Sequence, residues 1–398
     1  TQKKIRLSLS NLLKSQITLG DSVEASFTQS QLIALEELDN PYLVKALTAY
    51  DENEDFSEED SAIELIDLAF TYLDRGLYSQ AAENFSSALL LQSSNLDLDY
   101  FKDFMNLDSL HQKELVNSFY DIKSQDSLIT GANFYLSLLH NERGDSTSAR
   151  KFINDYIIEH PTDHRGEHLL ASYLYNDKNW FDALTHYQRV IWKNPEIVDA
   201  HLGIGNCLLN RESFGDAIVA YDKVLDLDPY HHKAYYYSGF AYTALEKYAD
   251  AIPMFTKALM LDPDNEDTYY YLGLAYHKTN NQTRALEALN RTVKLNPENG
   301  FAQYLLGSIY EDILEVEKAI SSYTLARKFA PEIIEVHYKL GMLLYRTDYL
   351  KSAMEPLREF IILQPDSTNV LKVLGHIFID QKRYPEAINT YERLLKTI

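Results

Sequence analysis

Two kinds of hydrophobic pattern run along this chain. Near the start the pattern is local. Leu32, Leu35 and Leu38 share one helical face, Leu43, Ala46, Leu47 and Tyr50 share another, and Pro41 parts them. Residues 29–50 therefore read as one or two helices. The polar run DENEDFSEED at 51–60 follows, a solvated linker whose acids would also suit a helix N-terminus. From residue 62 the pattern becomes periodic. Alanines stand at Ala149, Ala183, Ala217, Ala251, Ala285, Ala319, Ala353 and Ala387. Four places beyond each lies a larger apolar residue: Ile153, Tyr187, Tyr221, Phe255, Leu289, Tyr323, Leu357 and Tyr391. Prolines keep the same step of 34 residues, at Pro161, Pro195, Pro229, Pro263, Pro297, Pro331 and Pro365. So do the small residues Ala171, Gly205, Gly239, Gly273, Gly307, Gly341 and Gly375.

Self-similarity at a fixed period names an architecture before any single stretch does. Residues four apart lie on one helical face, so each alanine and its larger partner belong to the same side of a helix. Small residues on facing helices let the backbones approach, and the larger residue fills the gap. Proline ends the second helix, because it lacks an amide donor and restricts the residue before it. Each unit is thus a helical hairpin that cannot bury its apolar faces alone, and stacking of units buries them.

Counting by 34 places units at 62, 96, 130, 164, 198, 232, 266, 300, 334 and 368. In the first, Ala69, Tyr78, Ala81, Phe85 and Ala88 hold the expected places, and Gly76 suits the hairpin turn, as Gly144 does later. The unit 96–129 keeps the length but has Asp103 and Leu115 where small residues belong. Leu98, Phe101, Met105, Leu115, Phe119 and Ile122 still recur at helical spacing, which predicts a degenerate hairpin. Pro253 and Pro356 are expected near the starts of second helices, and Pro385 nearer still. The last unit, 368–398, stops inside its second helix without a polar cap, so either the natural chain continues or Leu394, Leu395 and Ile398 form an end open to self-association.

These ladders resemble the tetratricopeptide repeat family over most of the chain. The resemblance implies an all-α solenoid, a right-handed superhelix of about ten helical hairpins over 62–398, preceded by an irregular helical segment with its acidic linker over 1–61. It also implies that first helices line a concave groove and that the fifth position of a unit points into it. Tyr236, Tyr270, Tyr304 and Tyr338 occupy that position in successive units. Phe240, Asp267, Glu311, Glu335 and Arg346 are neighbouring inner positions. A row of tyrosines offers broad apolar faces with hydroxyl tips, suited to a peptide or helix of a partner protein. Tyrosines there also serve packing alone. Two specialised variants of the family are missing. The carboxylate clamp needs Lys and Asn across three repeats, and Leu202 and Tyr237 stand in two of its places beside the matching Asn206. The asparagine ladder needs Asn at the sixth position, where Gly203, Tyr237, Tyr271, Leu305, Lys339 and Val373 stand.

Charge narrows the partner. The chain of 398 residues carries a formal net charge of -22, which argues against nucleic acid and anionic membrane surfaces. It favours partners with basic and apolar residues, with Asp267, Glu311, Asp312 and Glu335 selecting against acidic ones. No apolar run is long enough to insert in a membrane. Cys207 is the only cysteine, so no intrachain disulfide forms, and the reading leans to the cytoplasm. The basic stretch from Lys3 would also fit a targeting leader, and the chain begins at Thr1, which leaves room for a leader removed upstream.

Catalytic arrangements are absent from the spacing. Neither a phosphate loop nor HExxH occurs, and the Gly203–Ile204–Gly205 run falls inside a first helix and reads as structural. His231 and His232 are adjacent, so on a helix they point apart and make a poor metal pair. No cofactor or metal is expected, and the chain reads as a non-catalytic scaffold. The alternatives are a self-associating assembly protein, or the regulatory module of a larger enzyme extending beyond residue 398.

Overall fold

In the computed structural model of this chain, the described residues are 58–91, 107, 109–125 and 131–397. Among them every regular element is a helix. They form two compact units that divide between Asn176 and Asp177. The predicted segment 29–50, the linker up to residue 57, Leu98, Phe101, Met105 and Ile398 lie outside the described residues.

The first unit contains α1 (Glu58–Leu73), α2 (Tyr78–Leu91), α3 (Ser109–Gln125), α4 (Ala132–Glu142), α5 (Ser146–Glu159) and α6 (His164–Asn176). α1 begins inside the acidic run, at Glu58. α1 with α2, and α4 with α5, are the expected hairpins, turned at Gly76 and Gly144 with φ of 72° and 75°. The degenerate unit contributes one described helix, α3, where its second helix was expected. Here α2 also packs directly on α4, skipping a repeat. Gly131 makes this approach feasible, because a Cβ there would lie 2.8 Å from the Ser86 carbonyl oxygen. Tyr135 fills the junction: it stacks on Phe119 at 5.4 Å and meets Phe85 at 5.5 Å. A buried polar knot closes it. Arg165 donates to the Leu89 carbonyl at 2.7 Å and to Asp163 at 2.6 Å, and Tyr156 donates to Asp163 at 2.6 Å.

The second unit opens with α7 (Trp180–Lys193). Six hairpins follow: α8 (Val198–Asn210) with α9 (Phe214–Leu227), α10 (His232–Ala244) with α11 (Tyr248–Leu261), and α12 (Glu266–Lys278) with α13 (Gln282–Leu295) come first. α14 (Gly300–Asp312) with α15 (Val316–Phe329), α16 (Ile334–Arg346) with α17 (Leu350–Leu363), and α18 (Thr368–Asp380) with α19 (Tyr384–Thr397) complete them. Each second helix packs on the next first helix. The ladder glycines take the ring or branched side chain of the opposing helix rather than its alanine. A Cβ at Gly307 would fall 2.6 Å from Tyr323, and one at Gly203, outside the ladder, would fall 2.5 Å from Tyr187 of α7. The two glycines of the Gly203–Ile204–Gly205 run thus receive two different tyrosines, Tyr187 and Tyr221. The ladder prolines end second helices, and some of their carbonyls anchor the next first helix: Pro195 and Pro331 accept from His201 and His337 at 2.8 Å.

Three details depart from the sequence reading. Pro253 and Pro356 are the sixth and seventh residues of α11 and α17, past the first-turn amides that lack a helical acceptor, so both interrupt the ladder of helix bonds. Leu394 is not part of an open end: it is buried in the core of the last hairpins, whereas Leu395 is 74% exposed. Tyr384 and Ile388 are exposed beside Leu395, on a stripe whose counterparts Leu350, Met354 and Ile361 are half-buried or buried. The third departure is a hidden ladder. Lys178, Glu212, Glu246, Asn280, Leu314, Asp348 and Lys382 all have φ near +60°, at the place Gly144 holds in the first unit. From Glu212 onward the residue after each donates back to a carbonyl five places earlier, as Glu315 does to Tyr310 at 2.8 Å. That is a helix-ending motif with a left-handed residue, normally glycine's position.

Candidate protein-interaction face

In the second unit successive first helices α8, α10, α12 and α14 touch one another as well as their own partners, while no pair of successive second helices comes as close. The first-helix side is therefore the tighter, inner side of this stretch. Tyr236 on α10, Tyr270 on α12, Tyr304 on α14 and Tyr338 on α16 are all half-buried. Each ring is seated on a neighbour. Tyr236 meets Tyr237 at 5.2 Å, Tyr270 meets Tyr271 at 5.1 Å, Tyr304 meets Tyr323 at 6.0 Å, and Tyr338 meets Phe360 at 5.3 Å. Burial pushes the Tyr270 hydroxyl up to about 12 and raises Tyr236 and Tyr304 as well, so these are neutral hydrogen-bonding groups.

Phe240 is half-buried and meets the Tyr271 ring edge-on at 5.2 Å. Asp267, Glu335 and Arg346 are exposed. Glu311 is brought together with Arg346, whose Nη2 donates to it at 2.6 Å. The sixth-position residues Tyr237 and Tyr271, not the asparagines of a peptide-binding ladder, serve packing. They stack on Tyr221 at 5.8 Å and Phe255 at 6.0 Å, joining each hairpin to the previous one. Their spacing of 34 was visible and carried that information.

The remaining chemistry is quiet. Cys207 is buried, which pushes its thiol up to about 12 and keeps it protonated. The His231 ring caps α10 by accepting from the Ala234 amide at 3.2 Å, with the His232 ring 6.4 Å away. Among the described residues no group of three His, Cys, Asp or Glu is placed to hold a metal, and no helix is long and apolar enough to cross a membrane.

Models of the tetratricopeptide repeat match residues 168–232, 266–299, 283–332 and 370–398, and a TPR repeat model matches 239–280. Across residues 168–398 this is a tetratricopeptide repeat protein. The chain also matches solved structures over less than half of its length. The crystal structure of YrrB, "a TPR protein with an unusual peptide-binding site", is 28% identical over 47% of this chain and 96% of its own, with a TM-score of 0.42. MamA is 25% identical over 41% of this chain and 95% of its own, at 0.39. TTC0263 of Thermus thermophilus is 18% identical over 46% of this chain and 98% of its own, at 0.35. No curated protein matches the chain. Tetratricopeptide arrays are protein-interaction scaffolds, typically without catalysis, and the repeat matches support that general role here.

Proposed function

We propose that this tetratricopeptide protein holds a peptide or helix of a partner protein on the inner face of its second unit. The observation that carries this reading is the row Tyr236, Tyr270, Tyr304 and Tyr338, seated on neighbouring rings yet half-exposed. Rings fixed by packing lose little freedom on binding, so their exposed faces are ready contacts. Phe240 widens the apolar strip, and exposed Asp267 and Glu335 favour basic side chains at its margin. The test is the double variant Tyr270→Ala with Tyr304→Ala. Partner affinity should fall at least about tenfold, as for two interface aromatics, with helicity nearly unchanged; undiminished affinity would sink the reading.

A second reading, self-association, is favoured by the uncovered stripe Tyr384, Ile388 and Leu395 on α19. Sedimentation at rising concentration should show association that Ile388→Glu reduces, and a monomer throughout would count against it. Leu394→Glu would instead strike the core, where that side chain is buried.

A further inference from the structure

The inner face carries one polar cluster that the tyrosine row does not use. Glu311, in the last turn of α14, reaches toward the next hairpin. Its Oε1 accepts from Arg346 Nη2 at 2.6 Å, and its Oε2 accepts from Lys339 Nζ at 3.1 Å. The Tyr323 hydroxyl of α15 donates to the same Oε2 at 3.0 Å. Burial alone would raise this carboxyl, but the three donors outweigh burial and hold it below the usual carboxylate range.

Exposure is divided unevenly in the cluster. The Glu311 side chain is 17% exposed, against 38% for Lys339 and 56% for Arg346. The donors are reachable from the groove, while the anion is sunk beneath them. The cluster adjoins the tyrosine row, since the Tyr304 hydroxyl feels Glu335, Lys339 and Glu311. It is also not a device of the repeat. The equivalent trios one and two units earlier are His277, Leu305 and Asp312, and Thr243, Tyr271 and Lys278.

We propose that Lys339, Arg346 and the Tyr323 hydroxyl form a carboxylate-binding subsite of the groove, with Glu311 as its resident occupant. Glu311 thereby sets the ligand polarity of this stretch. With it in place both cations are paired to a carboxylate beneath them, which weakens their pull on an acidic ligand. Without it, two cations and a hydroxyl lose the carboxylate they share, and a ligand carboxylate can take the vacated position. The role in ligand choice rests on the groove reading; the existence of the subsite does not.

The test has two arms, both on the full chain. In the first, Glu311→Ala is melted in sodium acetate and in sodium chloride at matched ionic strength. Acetate should raise the melting temperature of Glu311→Ala by more than it raises that of the wild type, and adding Arg346→Met should abolish the difference. Equal responses of wild type and Glu311→Ala would overturn the subsite. In the second arm, Glu311→Gln is compared with wild type for two peptides of equal apolar content, one flanked by Lys and one by Glu. The affinity ratio should move toward the Glu-flanked peptide by about tenfold, the equivalent of one lost like-charge contact. An unchanged ratio with binding that still depends on Tyr270 would overturn Glu311 as the polarity determinant. Binding independent of Tyr270 would overturn the groove reading instead, leaving the acetate result to decide the subsite.

Discussion

The two units solve the same packing problem differently. In the second, six hairpins repeat one joint, a glycine that takes the large side chain of the partner helix, and four of them add a proline carbonyl or a stacked sixth-position residue as a tie to what precedes. In the first, the ladder lapses at 96–129, and α2 meets α4 through Gly131, Tyr135 and the buried Arg165–Asp163–Tyr156 knot. A repeated joint spreads stability over many similar contacts. A singular joint concentrates it in a few groups that have no substitute.

That contrast can be broken most forcefully at Arg165. Replacing it with Met should destabilise the first unit by about 3–5 kcal/mol, the cost of leaving one partner of a buried ion pair alone. Chemical denaturation followed by fluorescence would read the loss. The matching change in the repeated joint, Gly307→Ala, pushes a methyl into the Tyr323 ring and should cost about 1–3 kcal/mol by overpacking. A larger loss at Gly307 than at Arg165 would reverse the comparison.

Acid should separate the units by residue rather than by size. Burial raises Asp163, but its bonds from Arg165 and Tyr156 outweigh that and hold it below the usual range, as the donors do for Glu311. Both folded-state values are lowered, so both contributions are complete above the ordinary carboxylate range and vanish as pH falls through the lowered values. Melting temperature against pH should therefore drop steeply in acid for wild type, less steeply for Asp163→Asn. An identical slope in the variant would contradict this.

The smallest expected effect sharpens the comparison from the other side. The first unit turns its hairpins with Gly76 and Gly144, while the second uses ordinary residues at the same left-handed φ. Leu314→Gly should relieve that strain and stabilise by about 0.5–1 kcal/mol, whereas Gly144→Ala should destabilise by a similar amount. No gain at Leu314 would mean the turn is compensated elsewhere.

Much of the fold was legible, because a period of 34 repeats its evidence: one ambiguous residue is outvoted by its counterparts. The hairpin turns were legible only where glycine marked them. Glu246 or Leu314 carries no local signal for a left-handed φ, since the hydrogen bonds at the helix end impose it. The end of the array was read by composition, which could not tell buried Leu394 from exposed Leu395; only helical phase against α18 decides that. At the inner face, positions were legible and partnerships were not. Glu311 and Arg346 stand 35 residues apart, and nothing in their spacing announces that they meet.

The measurement that tests the central claim most directly is a selection of peptides on the intact protein, followed by affinity titration against two variants. One carries Tyr270→Ala with Tyr304→Ala on the inner face; the other carries Trp192→Ala on the exposed surface of α7. Selected peptides should be apolar and basic, lose at least about tenfold in affinity to the tyrosine variant, and bind the Trp192 variant as they bind wild type. Peptides that ignore the tyrosines and depend on Trp192 would contradict an inner-face site.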